Sequence, residues 1–362
     1  MTRVNNYNAG PSALPLAVLE QARDELLDFD DTGMSVMELS HRSLEFDAVH
    51  NEALDLAHEL LGLDERWKIL LLQGGATQQF ALVPMNLLGG ERRADYLLSG
   101  SWSKKAITAA RLYGKARAAA DTEADGRFER VPRQDELDLD PGATYCHITT
   151  NNTIFGTQFS SFPETGPVPL VADMSSDILS RRFDPGPFGL FYAGAQKNLG
   201  PSGVCLVAIR EDLLEQVNPD LPPLFSYAGQ AAKNSLLNTP PTLAIYLLGL
   251  VLKWVRDQGG VEAMERQNQE KAELLYGLID GSGGFYRNPV ERGDRSWMNA
   301  VFRLPDEELE QRLVAEATSH GLVGLKGHRS VGGIRVSMYN ATSVESIRQL
   351  AGFLEDFRAR NG

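Results

Sequence analysis

Two residues in the middle of the chain could do chemistry together, Asp173 and Lys197, which lie 24 positions apart. Asp173 directly follows the apolar run 168–172, and Lys197 lies in a polar, glycine-flanked turn after the run 190–193. A lysine amine can form a Schiff base with the aldehyde of pyridoxal phosphate, and an aspartate can hold a proton on its pyridine nitrogen. For a single pair, a structural strand-end aspartate and a surface lysine are the more frequent alternative, so the rest of the chain must decide.

The elements that must position this pair are short apolar runs with the length of buried strands. Such runs occur at residues 68–72, 94–98, 144–149, 168–172, 190–193 and 204–209. Helical apolar spacing separates several of them, which predicts an α/β fold. Ligands of an open α/β sheet bind beyond the carboxyl ends of its strands. Both side chains are therefore predicted to lie at one rim of the sheet.

The last hundred residues have a pattern of their own. A long helix at 262–279, whose mixed charges indicate a solvated face, is followed by an alternation of two strands and two helices. This alternation predicts a smaller α/β domain. We expect an N-terminal segment at 1–15 that packs near the active site, a large domain at 16–259 and a small domain at 260–362.

Three further positions could belong to a cofactor site. The glycine-rich turn 74–77 follows a predicted strand and opens a helix, where free N–H groups and the helix dipole favour an anion. The turn is neither a Walker motif nor a dinucleotide fingerprint. Trp102, at another strand–helix junction, could stack on an aromatic ring or simply pack. Thr153, in a loop after a strand, could be a ligand or an ordinary turn residue.

Candidate substrate contacts come from a repeated tripeptide and one strand arginine. His41-Arg42-Ser43 and His328-Arg329-Ser330 each place a guanidinium beside an imidazole in loop-like sequence, which suits a phosphate or carboxylate. The alternative is two unrelated surface arginines. Arg335 alternates with apolar Ile334 and Val336, so it either faces solvent or projects into a cleft to hold a carboxylate.

Composition excludes several classes of protein. The 362 residues carry a formal net charge of −13 and are 43% hydrophobic, which argues against nucleic acid as the main partner. Cys146 and Cys205 lie in apolar runs and are expected to be reduced core residues, neither a disulfide nor a metal site. No signal peptide and no membrane span is expected. The cytoplasm is the expected compartment.

Longer stretches of the sequence resemble the phosphoserine aminotransferases, a family within class V of the fold-type I pyridoxal-phosphate enzymes. The resemblance covers nearly the whole chain. It rests on YNAGPSALP, DTGMSVMELSHRS, LLLQGGATQQFALVPMNLL, SGSWSKKA, NNTIFGTQF, VADMSSDILSR, YAGAQKNLGPSG, NTPPTLAIY and GHRSVGGIRVSMYNA. It implies a large domain with a mostly parallel seven-stranded sheet flanked by helices, a smaller C-terminal α/β domain and a homodimer with active sites at the subunit interface.

The resemblance also implies a role for each candidate residue. Lys197 would bind the cofactor covalently, Asp173 would pair with its pyridine nitrogen, Trp102 would stack on its ring and Thr153 would bond its phenolic oxygen. The remaining implied contacts are Ala76, Thr77 and Gln196 to the cofactor phosphate, with Asn238 and Thr239 reaching it from the partner subunit. Arg335 would bind the substrate α-carboxylate, and His41, Arg42, His328 and Arg329 its distal anion. Some family members have arginine where this chain has Thr77.

The implied reaction is the reversible transamination of 3-phosphohydroxypyruvate with glutamate, which gives phosphoserine and 2-oxoglutarate in serine biosynthesis. Whether 4-phosphohydroxythreonine is also a substrate, as in vitamin B6 synthesis, stays open. A cysteine desulfurase would need a nucleophilic cysteine in a mobile loop, unlike Cys146 and Cys205. An alanine–glyoxylate aminotransferase would not call for two His-Arg pairs. A non-catalytic cofactor- or anion-binding protein is the third alternative.

Overall fold

The computed structural model describes residues 3–362 of the chain. The strands are β1 (Asn5–Asn6), β2 (Trp67–Gly74), β3 (Arg93–Leu98), β4 (Lys115–Asp121), β5 (Glu123–Ala124), β6 (Arg127–Phe128), β7 (Tyr145–Thr149), β8 (Asn151–Asn152), β9 (Thr157–Gln158), β10 (Leu170–Asp173), β11 (Phe188–Gly194), β12 (Gly203–Arg210), β13 (Asn299–Phe302), β14 (Leu322–Val323) and β15 (Ile334–Ser337). The helices are α1 (Leu16–Asp24), α2 (Leu44–Leu61), α3 (Ala76–Leu87), α4 (Ser101–Ala110), α5 (Glu211–Leu214), α6 (Tyr227–Ala231), α7 (Thr242–Asp257), α8 (Gly260–Asp280), α9 (Glu307–Ser319) and α10 (Val344–Asn361).

A seven-stranded sheet with the order β2-β12-β11-β10-β7-β3-β4 is the centre of the fold. Only β12 runs against its two neighbours, and all other neighbouring pairs are parallel. The predicted α/β fold with a mostly parallel seven-stranded sheet is therefore confirmed. Such a sheet is apolar on both faces because helices cover each of them.

The two faces of the sheet belong to two separate apolar cores. Successive side chains of a strand point to opposite faces. In β2, Ile69 and Leu71 accordingly pack in the first core, while Leu70 and Leu72 pack in the second. Helices α2 and α7 contribute to the first core, and α3 and α4 to the second.

One edge of the sheet collects the carboxyl ends of six strands. Since β2 and β11 are both antiparallel to β12, β2 points the same way as the parallel group. At these ends lie Asp173, the last residue of β10, Lys197, which follows β11, and the start of α3, which follows β2. Trp102 follows β3 and Thr153 follows β7 along the same edge.

A third apolar core is formed by α8, α9, α10, β13 and β15, with Tyr7 from the N-terminal segment. Strand β1 pairs with β14 in parallel, which ties the start of the chain to its last third. The sequence pattern of this N-terminal segment, which is typical of a loop, does not predict this pairing. The proposed domain boundaries after 15 and 259 stay predictions, and the first two residues of the N-terminal segment lie outside the described residues.

Buried amides join the first and third cores. Asn340 donates from its backbone to Asn198 Oδ1 over 3.0 Å and from its side chain to the Leu179 carbonyl over 2.9 Å. Asn268 of α8 donates to Asn340 Oδ1 and to the Ser180 carbonyl. The chain segment after Lys197 is thereby bound to the segment that follows β15.

The expected solvated face of α8 is wrong at Lys271. Its side chain is 1% exposed, and its Nζ donates to the carbonyl oxygens of Met338, Tyr339 and Thr342, each over 2.9 Å. Three acceptors match the three donors of an ammonium group. The mixed charges of α8 thus predict a surface position for Lys271, whereas its ammonium group binds the loop after β15.

The charges and prolines of segment 121–141 are typical of an exposed loop, but the structure differs from this pattern. It contains the hairpin of β5 and β6, and Phe128 and Val131 are buried. The side chain of Arg133 bonds the buried carboxylate of Asp294 over 2.8 Å. Strand β4, which was not predicted, ends where this segment begins. In β4, which lies at the edge of the sheet, basic residues alternate with alanine, and this pattern lacks the large apolar residues by which the other strands were predicted.

Candidate active site

A cavity of about 270 Å³ lies at the edge where the six strands end. We call it the rim cavity. Its lining consists of Ala9, Gly10, Gly75, Ala76, Thr77, Phe80, Trp102, Asn151, Thr153, Ile154, Asp173, Ser175, Ser176, Gln196, Lys197, His328 and Arg335. Nine of the candidate residues from the sequence occur in this set, which brings together side chains from five strand ends and from the last third of the chain.

Lys197 lies three residues beyond the end of β11, and its ammonium donates to Thr153 Oγ1 over 2.8 Å. Burial lowers the pKa of Lys197 to about 8, with Asp173 opposing and Arg335 adding to the shift. A lysine with this pKa supplies a neutral, nucleophilic amine at a pH where a surface lysine is almost fully charged.

Asp173 ends β10 and is 6% exposed. Its Oδ1 accepts a hydrogen bond from the Ser175 backbone N–H over 3.0 Å. Burial raises the pKa of Asp173, although this bond and the charge of Lys197 act in the opposite direction. A buried carboxylate that prefers a proton or a counter-charge is suited to pair with a protonated ring nitrogen.

The start of α3 offers free backbone donors to the rim cavity. Its N-cap is Gly75, which has no side chain to accept from the first turn. Ala76 and Thr77 are the first two residues of the helix, and both line the cavity. Gln196 lies opposite, since a Cβ built on Gly194 would come within 3.3 Å of both the Gln196 amide and the Ala76 nitrogen. This arrangement is a site for an anion.

Trp102 follows β3, Thr153 follows the neighbouring strand β7, and both side chains line the rim cavity. The indole Nε1 of Trp102 is buried and has no hydrogen-bond partner within residues 3–362. Since a buried indole N–H usually finds a partner, this atom indicates a missing ligand. Thr153 is 4% exposed and accepts from Lys197, which leaves its hydroxyl proton free for another acceptor.

Arg335 lies on β15 and lines the rim cavity. Of the two alternatives for this residue, the structure therefore supports a side chain that projects into a cleft and not one that faces solvent. Its guanidinium donates to the Thr153 carbonyl over 3.3 Å, while its buried Nε has no partner among the described residues. Burial lowers the pKa of Arg335 from its usual high value, and the group stays charged. A half-buried arginine with unused donors is suited to a carboxylate.

His328 lies in the loop before β15. Its Nδ1 accepts the backbone N–H of Ser330 over 3.2 Å, which assigns the proton of the neutral ring to Nε2. Burial lowers the pKa of His328, and the charges of Arg335, Arg329 and Lys105 lower it further. The neutral ring therefore offers the cavity a donor without a charge.

Five candidates are not in the lining of the rim cavity. Asn238 donates to Gln73 Oε1 over 2.8 Å and, like Thr239, lies outside the lining. Arg42 and Arg329 are exposed, and His41 is half-buried away from the cavity. Asn238 and Thr239 were expected to reach the site of the partner subunit, so their absence from this lining does not test that expectation. The expected roles of His41, Arg42 and Arg329 at the distal anion stay predictions.

Several lining residues were missed in the sequence. Ser175 was detectable, because it stands two residues after a strand-end aspartate, the spacing of an Asx turn. Gly10 was not, since its contact depends on the fold: its φ is 138°, and an added Cβ would lie 3.4 Å from Lys197 Cγ. Ser12, two residues after Gly10, donates from its Oγ to the carbonyl oxygen of Lys197 over 2.9 Å.

Comparison with known proteins gives consistent results. A family model described as aminotransferase class-V matches residues 4–350. The phosphoserine aminotransferase of Lysinibacillus sphaericus is 53% identical over 359 residues, which is 99% of each chain. The solved phosphoserine aminotransferase of Bacillus circulans subsp. alkalophilus has a TM-score of 0.97 and 50% identity over 99% of both chains. A phosphoserine aminotransferase from Trichomonas vaginalis, solved with bound pyridoxal phosphate, has a TM-score of 0.93 and 37% identity over 98% of this chain and all of that one.

Proposed function

The chain belongs to the phosphoserine aminotransferases of class V, and we propose that it transfers the amino group between glutamate and 3-phosphohydroxypyruvate. It is a pyridoxal-phosphate-dependent transaminase whose products in the biosynthetic direction are phosphoserine and 2-oxoglutarate, a step of serine biosynthesis. The observation that carries the proposal is Lys197, a half-buried lysine at the strand ends of the sheet that donates to Thr153 over 2.8 Å and whose pKa is lowered to about 8.

The residues of the rim cavity fit pyridoxal phosphate. The free N–H groups at the start of α3 suit its phosphate, and the buried Nε1 of Trp102 has no hydrogen-bond partner among residues 3–362. Asp173 and Thr153 are the proposed partners of the ring nitrogen and the phenolic oxygen. When bound, the cofactor supplies an aldehyde for amine exchange and an electron sink for the carbanion at the substrate Cα.

The chain's own groups then have separate tasks. Arg335 holds the α-carboxylate and so orients the substrate Cα toward Lys197. The neutral Lys197 amine takes the proton from the substrate Cα as a base and, as an acid, would return it to the C4′ carbon of the cofactor, on the other side of the substrate nitrogen. Asp173 keeps a proton on the ring nitrogen throughout. Since the same groups serve glutamate and phosphoserine in turn, we expect ping-pong kinetics.

The active enzyme is proposed to be a homodimer. Asn238 and Thr239, which lie outside the rim cavity of their own chain, are proposed to reach the cofactor phosphate of the partner subunit. His41, Arg42 and Arg329 are proposed to contact the distal anion of the substrate. The cytoplasm is the proposed compartment. Within residues 3–362, no helix combines the length and apolarity needed to cross a membrane.

The first experiment replaces Lys197 by alanine. We expect Lys197→Ala to lose the visible absorbance of the covalently bound cofactor and all measurable transamination of phosphoserine with 2-oxoglutarate. Lys253→Ala, on the partly exposed side of α7, is the control and should keep both. Full activity of Lys197→Ala would exclude the assignment.

A second measurement separates this function from its rivals. The cysteine desulfurase alternative is disfavoured, because Cys146 and Cys205 are fully buried and burial raises the pKa of both thiols. A single-turnover absorbance change with phosphoserine but not with alanine would distinguish the proposed enzyme from an alanine–glyoxylate aminotransferase. No change with any amino acid would indicate a binding protein that keeps the fold.

A further inference from the structure

The N-terminal segment 7–12 forms one wall of the rim cavity, with Ala9 and Gly10 in the lining. We call this segment the N-terminal wall. Gly10 packs on the reactive lysine, since an added Cβ would lie 3.4 Å from Lys197 Cγ. At the end of the wall, the Oγ of Ser12 donates to the carbonyl oxygen of Lys197 over 2.9 Å. One end of the N-terminal wall is therefore fastened to the turn that carries this lysine.

The other end of the N-terminal wall is fastened to the segment that carries Arg335. The backbone N–H of Ser337, in β15, donates to the carbonyl oxygen of Tyr7 over 3.3 Å. Two residues after the end of this strand, the hydroxyl of Tyr339 donates to the carbonyl oxygen of Ala9 over 2.8 Å. The wall thus joins the lysine that binds the cofactor to the strand of the arginine that is assigned to the α-carboxylate.

Tyr339 is itself held by buried groups of the last third of the chain. It is 1% exposed, and its carbonyl oxygen accepts from Lys271 Nζ over 2.9 Å. Its hydroxyl accepts from Asn299 Nδ2 over 3.2 Å, and Asn299 Oδ1 in turn accepts from Asn151, a residue of the cavity lining, over 2.8 Å. Because the hydroxyl accepts from this amide, its one proton is directed to the N-terminal wall.

We propose that Tyr339 is a positioning residue for transamination, whose hydroxyl holds the N-terminal wall and β15 together before the substrate arrives. The proposal rests on the proposed function, since it concerns the same site. Tyr339 lies outside the lining of the rim cavity and takes no part in proton transfer. Without its hydroxyl, the wall and the strand of Arg335 can separate, and the α-carboxylate must order them on binding. Since glutamate and phosphoserine share this carboxylate, the effect is common to both.

The test compares Tyr339→Phe with Tyr286→Phe in the cofactor-loaded enzyme. Both variants keep the ring and lose one buried bond from a hydroxyl to a carbonyl oxygen, which for Tyr286 is that of Leu354 in the third core. For Tyr339→Phe we expect KM for glutamate and for phosphoserine to rise by the same factor, about threefold to tenfold, the effect of one hydrogen bond. The value of kcat should stay within about twofold, because the groups that move the proton are unchanged. Tyr286→Phe should match the wild type.

A second measurement follows the N-terminal wall without any turnover. The backbone N–H of Ser12 donates to the carbonyl oxygen of Gln196 over 3.0 Å, so its exchange with solvent deuterium reports local opening of the wall. In Tyr339→Phe, mass spectrometry of peptides that cover residues 8–12 should show exchange that is about threefold to tenfold faster than in the wild type. In Tyr286→Phe the exchange of these peptides should be unchanged.

Unchanged exchange of the wall in Tyr339→Phe would overturn the proposal, and so would unchanged KM values. Equal effects of Tyr339→Phe and Tyr286→Phe would show that a buried hydroxyl acts through stability alone, and a rise in KM for phosphoserine only would place the effect at the distal anion; both outcomes exclude the proposed role. If the wild type does not transaminate phosphoserine, the proposed function is wrong. Hydrogen exchange then still decides whether Tyr339 holds the wall, because it needs no substrate.

Discussion

Replacing Asp173 by asparagine removes the negative charge that faces the rim cavity but keeps nearly the same shape. In the wild type, this carboxylate is 6% exposed and accepts one backbone hydrogen bond. Asparagine can keep that bond through its carbonyl oxygen. What it cannot do is oppose the positive charge of a protonated ring nitrogen, so the cofactor loses the counter-charge that makes its ring an electron sink.

The size of the effect follows from burial. Removing one partner of a buried ion pair costs about 3–5 kcal/mol, because the remaining charge has no water to solvate it. If the whole cost appears in the step in which Cα loses its proton, the rate falls by roughly 10² to 10^3.5. Binding of phosphoserine should change little, since Arg335 and not Asp173 is assigned to the substrate carboxylate.

The assay is the single-turnover half-reaction with phosphoserine, followed by cofactor absorbance under saturating substrate. The matched control is Asp177→Asn. Asp177 is equally buried, at 7% exposure, but bonds Thr150 and Gln158 and lies outside the lining of the rim cavity. We expect it to lower stability while leaving the half-reaction within about tenfold of the wild type.

The reasoning would be refuted if Asp173→Asn turned over within a factor of ten of the wild type, or if both variants lost the same rate. The first outcome would mean that no charge is needed opposite the ring nitrogen. The second would mean that the loss of rate comes from the reduced stability of a fold that lacks a buried carboxylate, and not from a missing charge at the cofactor.

Two further predictions concern buried lysines. The rate of covalent cofactor loading should rise with pH, with a midpoint near pH 8, because burial lowers the pKa of Lys197 and only the neutral amine reacts. Stopped-flow absorbance measures this rate, and the midpoint should move to lower pH in Asp173→Asn. A midpoint near the pKa of free lysine would contradict the assignment. Burial also lowers the pKa of Lys271 to about 7 from 10.5. Above pH 7 the unfolded chain therefore binds more protons at this lysine than the folded chain does. The difference in free energy of unfolding between the wild type and Lys271→Met should then increase, in favour of the wild type, by about 2–3 kcal/mol between pH 7.5 and 9.5. Denaturant titrations measure this difference, and a value that does not change with pH would refute the prediction.

The part of the site that follows sheet strands was predictable from sequence. Asp173 directly follows one apolar run and Lys197 lies in the turn after another, and strand ends of one direction meet at one edge. Trp102 and Thr153 occupy the corresponding positions after β3 and β7. Local pattern was sufficient here because the position of these residues is set by the strand that precedes them.

The residues that depend on packing between distant segments were not predictable in this way. The approach of Gly10 to Lys197 needs the pairing of β1 with β14, and no local pattern encodes a two-residue strand. Lys271 has a polar side chain on a polar helix, and only its three carbonyl acceptors explain its burial. Asn238 was expected at the site from the resemblance alone, and the role of Arg42, which the repeated tripeptide also indicated, stays a prediction because Arg42 is outside the lining of the rim cavity.

The amides between the first and third cores have a consequence for how the two halves of the site depend on each other. Asn268 and Asn340 join the segment that follows β15, and hence Arg335, to Asn198, the residue after Lys197, through buried hydrogen bonds. A buried polar group that loses its partner costs more free energy than the bond itself contributes. We therefore expect the loss of either amide side chain to disturb both the arginine that binds the carboxylate and the lysine that binds the cofactor, although neither amide lines the rim cavity.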